Sequence, residues 1–247
     1  MLRTVSGFVV RTQNYQETHK IVTLFTEEYG KLSAIARGAN KPSSRMVAIS
    51  LPFVYGNFLV YVSRGLSTLQ QGEVISSNRE IREDIVKTTY ASYIAELTWK
   101  TLKDKEPNHY IYQQFYYTIE WIKKNEQAMI PLIMYELKMY KIAGILPMVN
   151  QCVSCGETKS LSSFSIVEGG LLCANCTQKD EQAFPLTPTL VKLLQIFVNV
   201  GLEQVGNISV KKENEFRIRN ILDQYYERYG GFSIKSKNVL NQLDLLQ

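Results

Sequence analysis

Residues 152–176 read CVSCGETKSLSSFSIVEGGLLCANC and contain all four cysteines of the 247-residue chain. The cysteines form two Cys-x2-Cys pairs, Cys152 with Cys155 and Cys173 with Cys176, separated by seventeen residues. A two-residue gap lets both thiolates of a tight turn face one ion, and a second pair completes a tetrahedron around Zn²⁺. Because four thiolates leave no coordination position for water, we predict one structural zinc ion.

Two disulfides are the alternative interpretation of this quartet. The chain begins Met-Leu-Arg-Thr-Val-Ser-Gly, without the basic and apolar regions of a signal peptide. We therefore expect a cytoplasmic location, where thiols stay reduced and disulfides are rare. Residues 151–182 are too few to bury a core, so the metal is expected to supply much of their folding free energy. Clamping the fold and contacting nucleic acid or protein both remain open as roles for this module.

Upstream of the cysteines, the first 75 residues consist of short β-runs with turn residues between them. Five strands with a wide connection between the third and the fourth fit an OB-type barrel, and a small SH3-like barrel would also fit. The predicted strands are Leu2–Val10, Lys20–Thr26, Lys31–Arg37, Phe53–Ser63 and Thr68–Ile75.

Alternation along the fourth predicted strand assigns Tyr55 and Tyr61 to one face and its even-numbered residues to the core. On the third strand, Lys31 and Arg37 share a face. Cations beside tyrosines on an open barrel face suit single-stranded nucleic acid, which needs phosphate neutralisation and flat surfaces for base stacking. The alternative is that the tyrosines pack beneath the following helices and the cations only solvate an edge.

From Ser77 onward the hydrophobic period changes from two to about 3.6, which indicates helices. Ser77 and Glu80 have the spacing of a capping box. Further helices are predicted from Pro107–Asn108 onward, over Met129–Ala143, from Pro188 to about Val200, over Lys211–Tyr229 and over Ser236–Leu246.

The predicted fold class is α+β: a five-stranded OB-type barrel followed by an all-helical domain with an inserted four-cysteine zinc ribbon. The predicted domains are residues 1–78 for the barrel, 79–150 with 183–247 for the helical domain, and 151–182 for the zinc module.

The net charge of +5 is unevenly distributed. Residues 1–75 contain 8 Lys and Arg against 4 Asp and Glu, so most of the excess lies in the barrel, where it indicates either a polyanionic partner or chance.

No apolar run is long enough to span a membrane. The chain contains none of the common phosphate-loop, metalloprotease, hydrolase or dinucleotide-binding motifs, so we do not expect an enzyme.

Several segments together resemble the RecO family of recombination mediators. Residues 15–39, YQETHKIVTLFTEEYGKLSAIARGA, and 41–45, KPSSR, are similar to the family's N-terminal barrel, as are Leu51-Pro-Phe and the segment from Gly65 to Val74. The four cysteines match a zinc module that many members carry, and Ile234-Lys-Ser-Lys237 resembles the segment that opens their last helix.

The resemblance implies a non-enzymatic bacterial protein of DNA repair and recombination, cytoplasmic and nucleoid-associated. Relatives bind single- and double-stranded DNA, anneal complementary strands, join RecR and help RecA load onto strands coated by single-stranded DNA-binding protein (SSB). In them the barrel contacts DNA and RecR, and the helical body receives the acidic, apolar C-terminal tail of SSB.

For this chain we predict that DNA phosphates and bases contact the barrel, with the cations neutralising phosphates and the tyrosines stacking on bases. The residues concerned are Lys31, Arg37, Lys41, Arg45, Tyr55, Tyr61 and Arg64. The competing hypotheses are a zinc-ribbon adaptor or regulator that binds only protein, and an OB-containing enzyme that turns over nucleic acid.

Overall fold

The computed structural model describes residues 1–205 and 209–244, which divide into two compact units. The first unit contains residues 1–128 together with the segment from residue 234 onward, and the second contains residues 129–233. This division places the first long helices and the last helix with the barrel, whereas the predicted domains grouped all helices together. Within the described part of the chain, no helix is both long and apolar enough to cross a membrane.

A closed five-stranded barrel forms the N-terminal part of the first unit, as predicted. The strands pair in the order β1-β2-β3-β5-β4, antiparallel except between β3 and β5. A short helix, α1 (Met46–Ile49), lies in the wide connection between β3 and β4. The strands are β1 (Leu2–Tyr15), β2 (His19–Thr26), β3 (Gly30–Ala36), β4 (Tyr55–Tyr61) and β5 (Ser67–Ser76).

Strand alternation selects the barrel core. On β4, Phe58 and Val60 are fully buried, whereas Tyr55 is half-buried and Tyr61 exposed on the opposite face. The same period brings Leu24 from β2 and other aliphatic side chains into the interior. The predicted inward set of β4 is therefore confirmed, and the outward set decides what the barrel presents to its surroundings.

The helices of the first unit are α2 (Arg79–Arg82), α3 (Ile85–Thr101), α4 (His109–Lys124) and α8 (Lys235–Asp244). The predicted capping box at Ser77 and Glu80 is wrong. Asn78 precedes α2 in a left-handed conformation, and its buried amide donates to the Phe53 carbonyl at 2.8 Å. The side chain that caps the long helix α3 is Asp84, which accepts from two backbone N–H groups of the first turn. Residues 245 and 246 of the predicted last helix lie outside the described residues.

The second unit combines helices with a small three-stranded sheet. Buried Glu136 on its first helix accepts from Arg219 on its last at 2.7 Å and from the Tyr140 hydroxyl at 2.5 Å, so a charged pair links the two helices inside the unit. The elements are α5 (Met129–Ala143), β6 (Leu161–Ser165), β7 (Gly170–Cys173), β8 (Phe184–Pro185), α6 (Pro188–Asn199) and α7 (Lys212–Tyr229), with 3-10 turns at Thr177–Lys179 and Leu202–Gln204.

Glu96 on α3 holds the start of α8 within the first unit. Its carboxylate accepts from the backbone N–H groups of Lys235 and Ser236 at 3.1 and 2.9 Å and from the Ser236 hydroxyl at 2.7 Å. Lys100 is paired with the same carboxylate at 2.8 Å. Burial alone would raise the pKa of Glu96, but the hydrogen bonds from Lys100, Ser236 and Lys235 lower it to about 2.

Replacing Glu96→Gln should reduce the free energy of unfolding by about 1 kcal/mol at pH 7, the usual cost of losing a helix cap. A carboxylate whose folded-state pKa is depressed stabilises the protein above its unfolded-state pKa and loses that contribution as pH falls through the folded value. Urea unfolding of both proteins should therefore show a difference that narrows between about pH 4.5 and pH 2.

Glu83→Gln is the matched control, because Glu83 belongs to an exposed ion pair with Arg79. It should change the unfolding midpoint very little. A Glu96→Gln variant as stable as wild type at pH 7, or a difference that stays constant with pH, would contradict this role of Glu96.

Candidate metal centre and nucleic-acid interface

The four cysteines meet at one point of the second unit. Their Sγ atoms all lie within 4.8 Å of one another, and those of Cys155 and Cys173 are 3.7 Å apart. This separation is far longer than the S–S bond of a disulfide, about 2.05 Å. Tetrahedral binding at about 2.3 Å per thiolate would place sulfurs roughly 3.8 Å apart, so the cluster has the dimensions of a four-thiolate metal centre.

Each pair sits in a tight turn, as the two-residue gap predicted. The Gly156 N–H donates to the Cys152 carbonyl at 2.9 Å, and Gly156 adopts a positive φ of 79° that favours glycine. Burial acts to raise the pKa of Cys152, but hydrogen bonds from the backbone N–H groups of Cys173, Cys155 and Ser154 lower it, whereas the neighbouring sulfurs raise the pKa of Cys155. These N–H groups favour the thiolate, which is the form that binds metal.

The turns are built into the hydrophobic packing of the second unit. The hairpin of β6 and β7 lies between the cysteine pairs, within the predicted zinc ribbon, and β8 adds a third strand to the sheet. Buried Phe164 of β6 contacts Tyr225 of α7 edge to face, with ring centroids 5.8 Å apart. The Tyr229 hydroxyl lies 2.9 Å from the carbonyl oxygens of Ile166 and Val167. Disruption of the cysteine turns would therefore be transmitted to α7.

The candidate nucleic-acid residues of the barrel fall into two groups, because α3 and α4 cover part of the barrel's outer face. Phe115 of α4 contacts Phe8 of β1 and Phe25 of β2 edge to face, at centroid distances of 5.3 and 5.5 Å. The Tyr55 ring stacks on Phe8 at 4.6 Å and meets Tyr116 of α4 at 5.8 Å. Tyr55 is thus part of this aromatic layer, as the alternative interpretation of the strand pattern allowed.

Lys31 belongs to the covered group as well. Its ammonium donates to the Trp99 carbonyl at 2.8 Å and pairs with Asp104 at 3.2 Å, and its side chain is only 13% exposed. Trp99 also carries the Arg11 guanidinium 3.8 Å above its ring. A phosphate contact by Lys31 would require breaking this ion pair.

The other five predicted residues are exposed. The β3–α1 connection carries Arg37 and Lys41, and Arg45 directly precedes α1. Tyr61 at the end of β4 is 52% exposed, and Arg64 lies in the β4–β5 turn.

Hydrogen bonds hold the basic connection, residues 37–45 between β3 and α1, against the β1–β2 turn. The Gly38 N–H donates to His19 Nδ1 at 3.1 Å, the Asn40 N–H donates to the Thr18 carbonyl at 3.0 Å, and the Asn40 amide donates to the His19 carbonyl at 3.2 Å. His19 thus has a structural role here. The sequence offered no signal for this contact, which joins residues nineteen or more positions apart.

Lys105 positions the β4–β5 turn and was also missed. Its ammonium donates to the carbonyls of Ser63, Arg64 and Gly65 at 2.6, 2.6 and 3.0 Å. The Lys105 N–H donates to the Lys31 carbonyl at 2.9 Å, so the segment after α3 is fastened to both β3 and the turn. Arg64 is therefore displayed from a turn with a defined shape.

The fold and the two sites define a barrel protein with an exposed basic connection and a separate module whose four cysteines could hold a metal ion. The family model described as Recombination protein O N terminal matches residues 1–78, and the one described as Recombination protein O C terminal matches residues 82–238. The chain belongs to the RecO family of DNA repair proteins, in agreement with the resemblance seen in its sequence.

Relatives of this chain carry the name DNA repair protein RecO. The protein from Oceanobacillus iheyensis is 52% identical over 244 residues, which cover 99% of this chain and 95% of that protein. The protein from Bacillus pumilus is 43% identical over 247 residues, covering 100% and 96%. The protein from Halalkalibacterium halodurans is 41% identical over 244 residues, covering 99% and 96%.

Replacing Cys152→Ser and Cys155→Ser together should abolish metal binding and destabilise the second unit by several kcal/mol, because its sheet and α7 depend on the same turns. Metal content by mass spectrometry and thermal unfolding by calorimetry measure the two effects. Thr158→Ala, at an exposed position three residues beyond the second of these cysteines, is the control and should leave both unchanged. If the wild type and the double variant are both isolated without metal and are equally stable, a structural metal is excluded.

Proposed function

We propose that this chain is a recombination mediator that binds single- and double-stranded DNA, anneals complementary strands and, with RecR, promotes RecA loading on SSB-coated DNA. Membership of the RecO family supports this role. The single observation that carries the DNA-binding part is the exposed basic connection of a barrel whose other outer face is covered by helices. The proposed role needs no bond making or breaking by the chain, so we propose no catalytic residue.

At the basic connection between β3 and α1, the proposed contact is electrostatic, between cationic side chains and DNA phosphates. Residues 37–45 contain Arg37, Lys41 and Arg45 and no Asp or Glu, so three cations face solvent without an acidic residue in the same segment. Neutralising phosphates with such cations releases counterions, which makes affinity strongly dependent on salt. Arg64 adds a fourth charge from the β4–β5 turn, and the exposed ring of Tyr61 offers a surface on which a base can stack. Lys31 and Tyr55, engaged by α3 and α4, are left out of the proposed interface.

The metal we propose for the cysteine cluster is a single structural Zn²⁺. Four cysteine sulfurs at these separations suit tetrahedral thiolate coordination, for which zinc is the usual ion in a small module of this kind. The closed coordination sphere assigns the ion to folding. Residues 151–182 contain more Asp and Glu than Lys and Arg, so we do not include this module in the DNA interface.

The protein partners follow from family membership alone. We propose RecR on the barrel, the SSB C-terminal tail on the helical part, RecA as an indirect partner, and a cytoplasmic, nucleoid-associated location. No residue of this chain is assigned to these contacts.

The double variant Arg37→Ala with Lys41→Ala should weaken binding to a labelled single strand and slow strand annealing, because two phosphate contacts are lost. Each contact contributes about 0.7 to the slope of log affinity against log salt for single strands, so the slope should become shallower by about 1.4. Fluorescence anisotropy at several salt concentrations measures the affinity, and annealing is followed on bare and SSB-coated complementary strands.

Lys103→Ala with Lys124→Ala is the control, since it removes the same charge from exposed positions outside the barrel connection. It should leave the slope almost unchanged. Wild-type protein that binds no DNA would support a protein-binding adaptor instead, and degradation of the strands would indicate a nucleic-acid enzyme. A connection variant with wild-type affinity and slope would show that the interface lies elsewhere.

A further inference from the structure

A groove lies on the side of the barrel that α3 and α4 do not cover, and most of the residues that line it are not among the proposed phosphate contacts. It runs between α1 and the outer face of β4 and β5, with a volume of about 480 Å³, and it opens to solvent. The residues that line it are Thr4, Arg45, Met46, Ile49, Asn57, Leu59, Gln70, Gln71, Gly72 and Glu73.

Part of the groove's lining is apolar. Buried Ile49 and the partly exposed Met46 come from α1, and Leu59 comes from the outward row of β4. Gly72 of β5 pairs with Phe58 of β4, and an added Cβ would come within 3.1 Å of both the Ile49 and the Phe58 side chains. The absence of a side chain at Gly72 therefore lets Ile49 of α1 pack closely against β5.

The walls are polar but carry almost no net charge. Of the described residues in the lining, one is a cation, Arg45, and one is a carboxylate, Glu73. The other polar groups are the carboxamides of Asn57, Gln70 and Gln71 and the Thr4 hydroxyl. The Ser6 hydroxyl donates to Asn57 Oδ1 at 2.6 Å, which holds this carboxamide by its oxygen and leaves its Nδ2 hydrogens as donors.

We propose that this groove binds an unpaired base of single-stranded DNA, an inference that rests on the proposed DNA-binding function. Apart from Arg45, which belongs to the phosphate interface, the lining offers no cation to a phosphate and includes the carboxylate of Glu73. A base fits both the apolar and the polar part of the groove. The faces of a base are apolar, and its edge carries hydrogen-bond donors and acceptors that the carboxamides can pair with. Duplex DNA keeps its bases stacked and paired, so the site selects single strands.

The surroundings supply a path for the rest of the strand. Arg45 lies at the groove and also ends the basic connection that carries Arg37 and Lys41. On the other side, Tyr61 follows Leu59 by two residues on the same face of β4, with its ring exposed. A strand whose phosphates follow the connection can therefore place one base in the groove and the next against Tyr61.

Two labelled oligonucleotides of equal length test this assignment, one with normal bases and one fully abasic with the same phosphates. Wild-type protein should bind the normal strand at least about fivefold more tightly, as expected for one or more base contacts. Gln70→Ala with Gln71→Ala should reduce this ratio toward one and leave affinity for the abasic strand unchanged. Arg37→Ala with Lys41→Ala should weaken binding of both strands by the same factor.

Gln13→Ala is the matched control, because Gln13 is an exposed glutamine on β1 outside the groove, and it should keep the wild-type ratio. Thermal unfolding verifies that every variant is folded. Equal wild-type affinity for the two strands, or a ratio unaffected by the double glutamine variant, would overturn the base site while leaving the electrostatic interface intact. Failure of the wild type to bind either strand would overturn the proposed function itself and the base site with it.

Discussion

The packing of α4 against the barrel determines which barrel surface meets solvent. Phe115 of α4 lies against Phe8 and Phe25 of two neighbouring strands, and all three rings are buried. Each such ring contributes roughly 1.5–3 kcal/mol through burial, and the edge-to-face pairs add about 1 kcal/mol each. The aromatic layer therefore joins the barrel and the helices that follow it in one compact unit, although the family models divide the chain between residues 78 and 82.

Once this face is covered, the polar groups near it acquire structural partners. Lys31 is paired with Asp104, and Lys105 binds three carbonyls of the β4–β5 turn. The β3–α1 connection and the β4–β5 turn consequently display four exposed cations of the barrel, whereas Lys31 on β3 is held by its partners. The same covering leaves the groove beside α1 as the open side of the barrel. The basic connection and a groove large enough for a base thus lie next to each other, because helices cover the opposite face of the barrel.

Features encoded by local spacing were predictable from the sequence. The cysteine quartet, the five strands and the inward side of β4 depend on intervals of two or three residues, and the structure shows each of them. Helix α5 begins and ends at its predicted residues, and Gly144 and Pro147 mark its C-terminal end.

Local spacing did not predict which outward-facing residues would be covered by helices and which would be exposed to solvent. Tyr55 and Tyr61 have the same position in the strand pattern, yet one packs under α4 and the other is exposed, and the difference comes from contacts with a helix far along the chain. The capping signal at Ser77 failed for a related reason, since the buried Asn78 amide is held by the Phe53 carbonyl. The groove was not predicted because its glutamines become neighbours of Arg45 only when β5 pairs in the barrel.

The central claim is that DNA meets the barrel on the side of α1 and β5, because helices occupy the other side. Hydrogen exchange measured by mass spectrometry, with and without a saturating single strand, tests this claim directly. We expect slower exchange on DNA binding in residues 37–46 and 70–73, with no change in the covered strands at residues 20–25 and 31–35. Protection confined to the covered strands would contradict the account, since it would require α3 and α4 to leave the barrel when DNA binds.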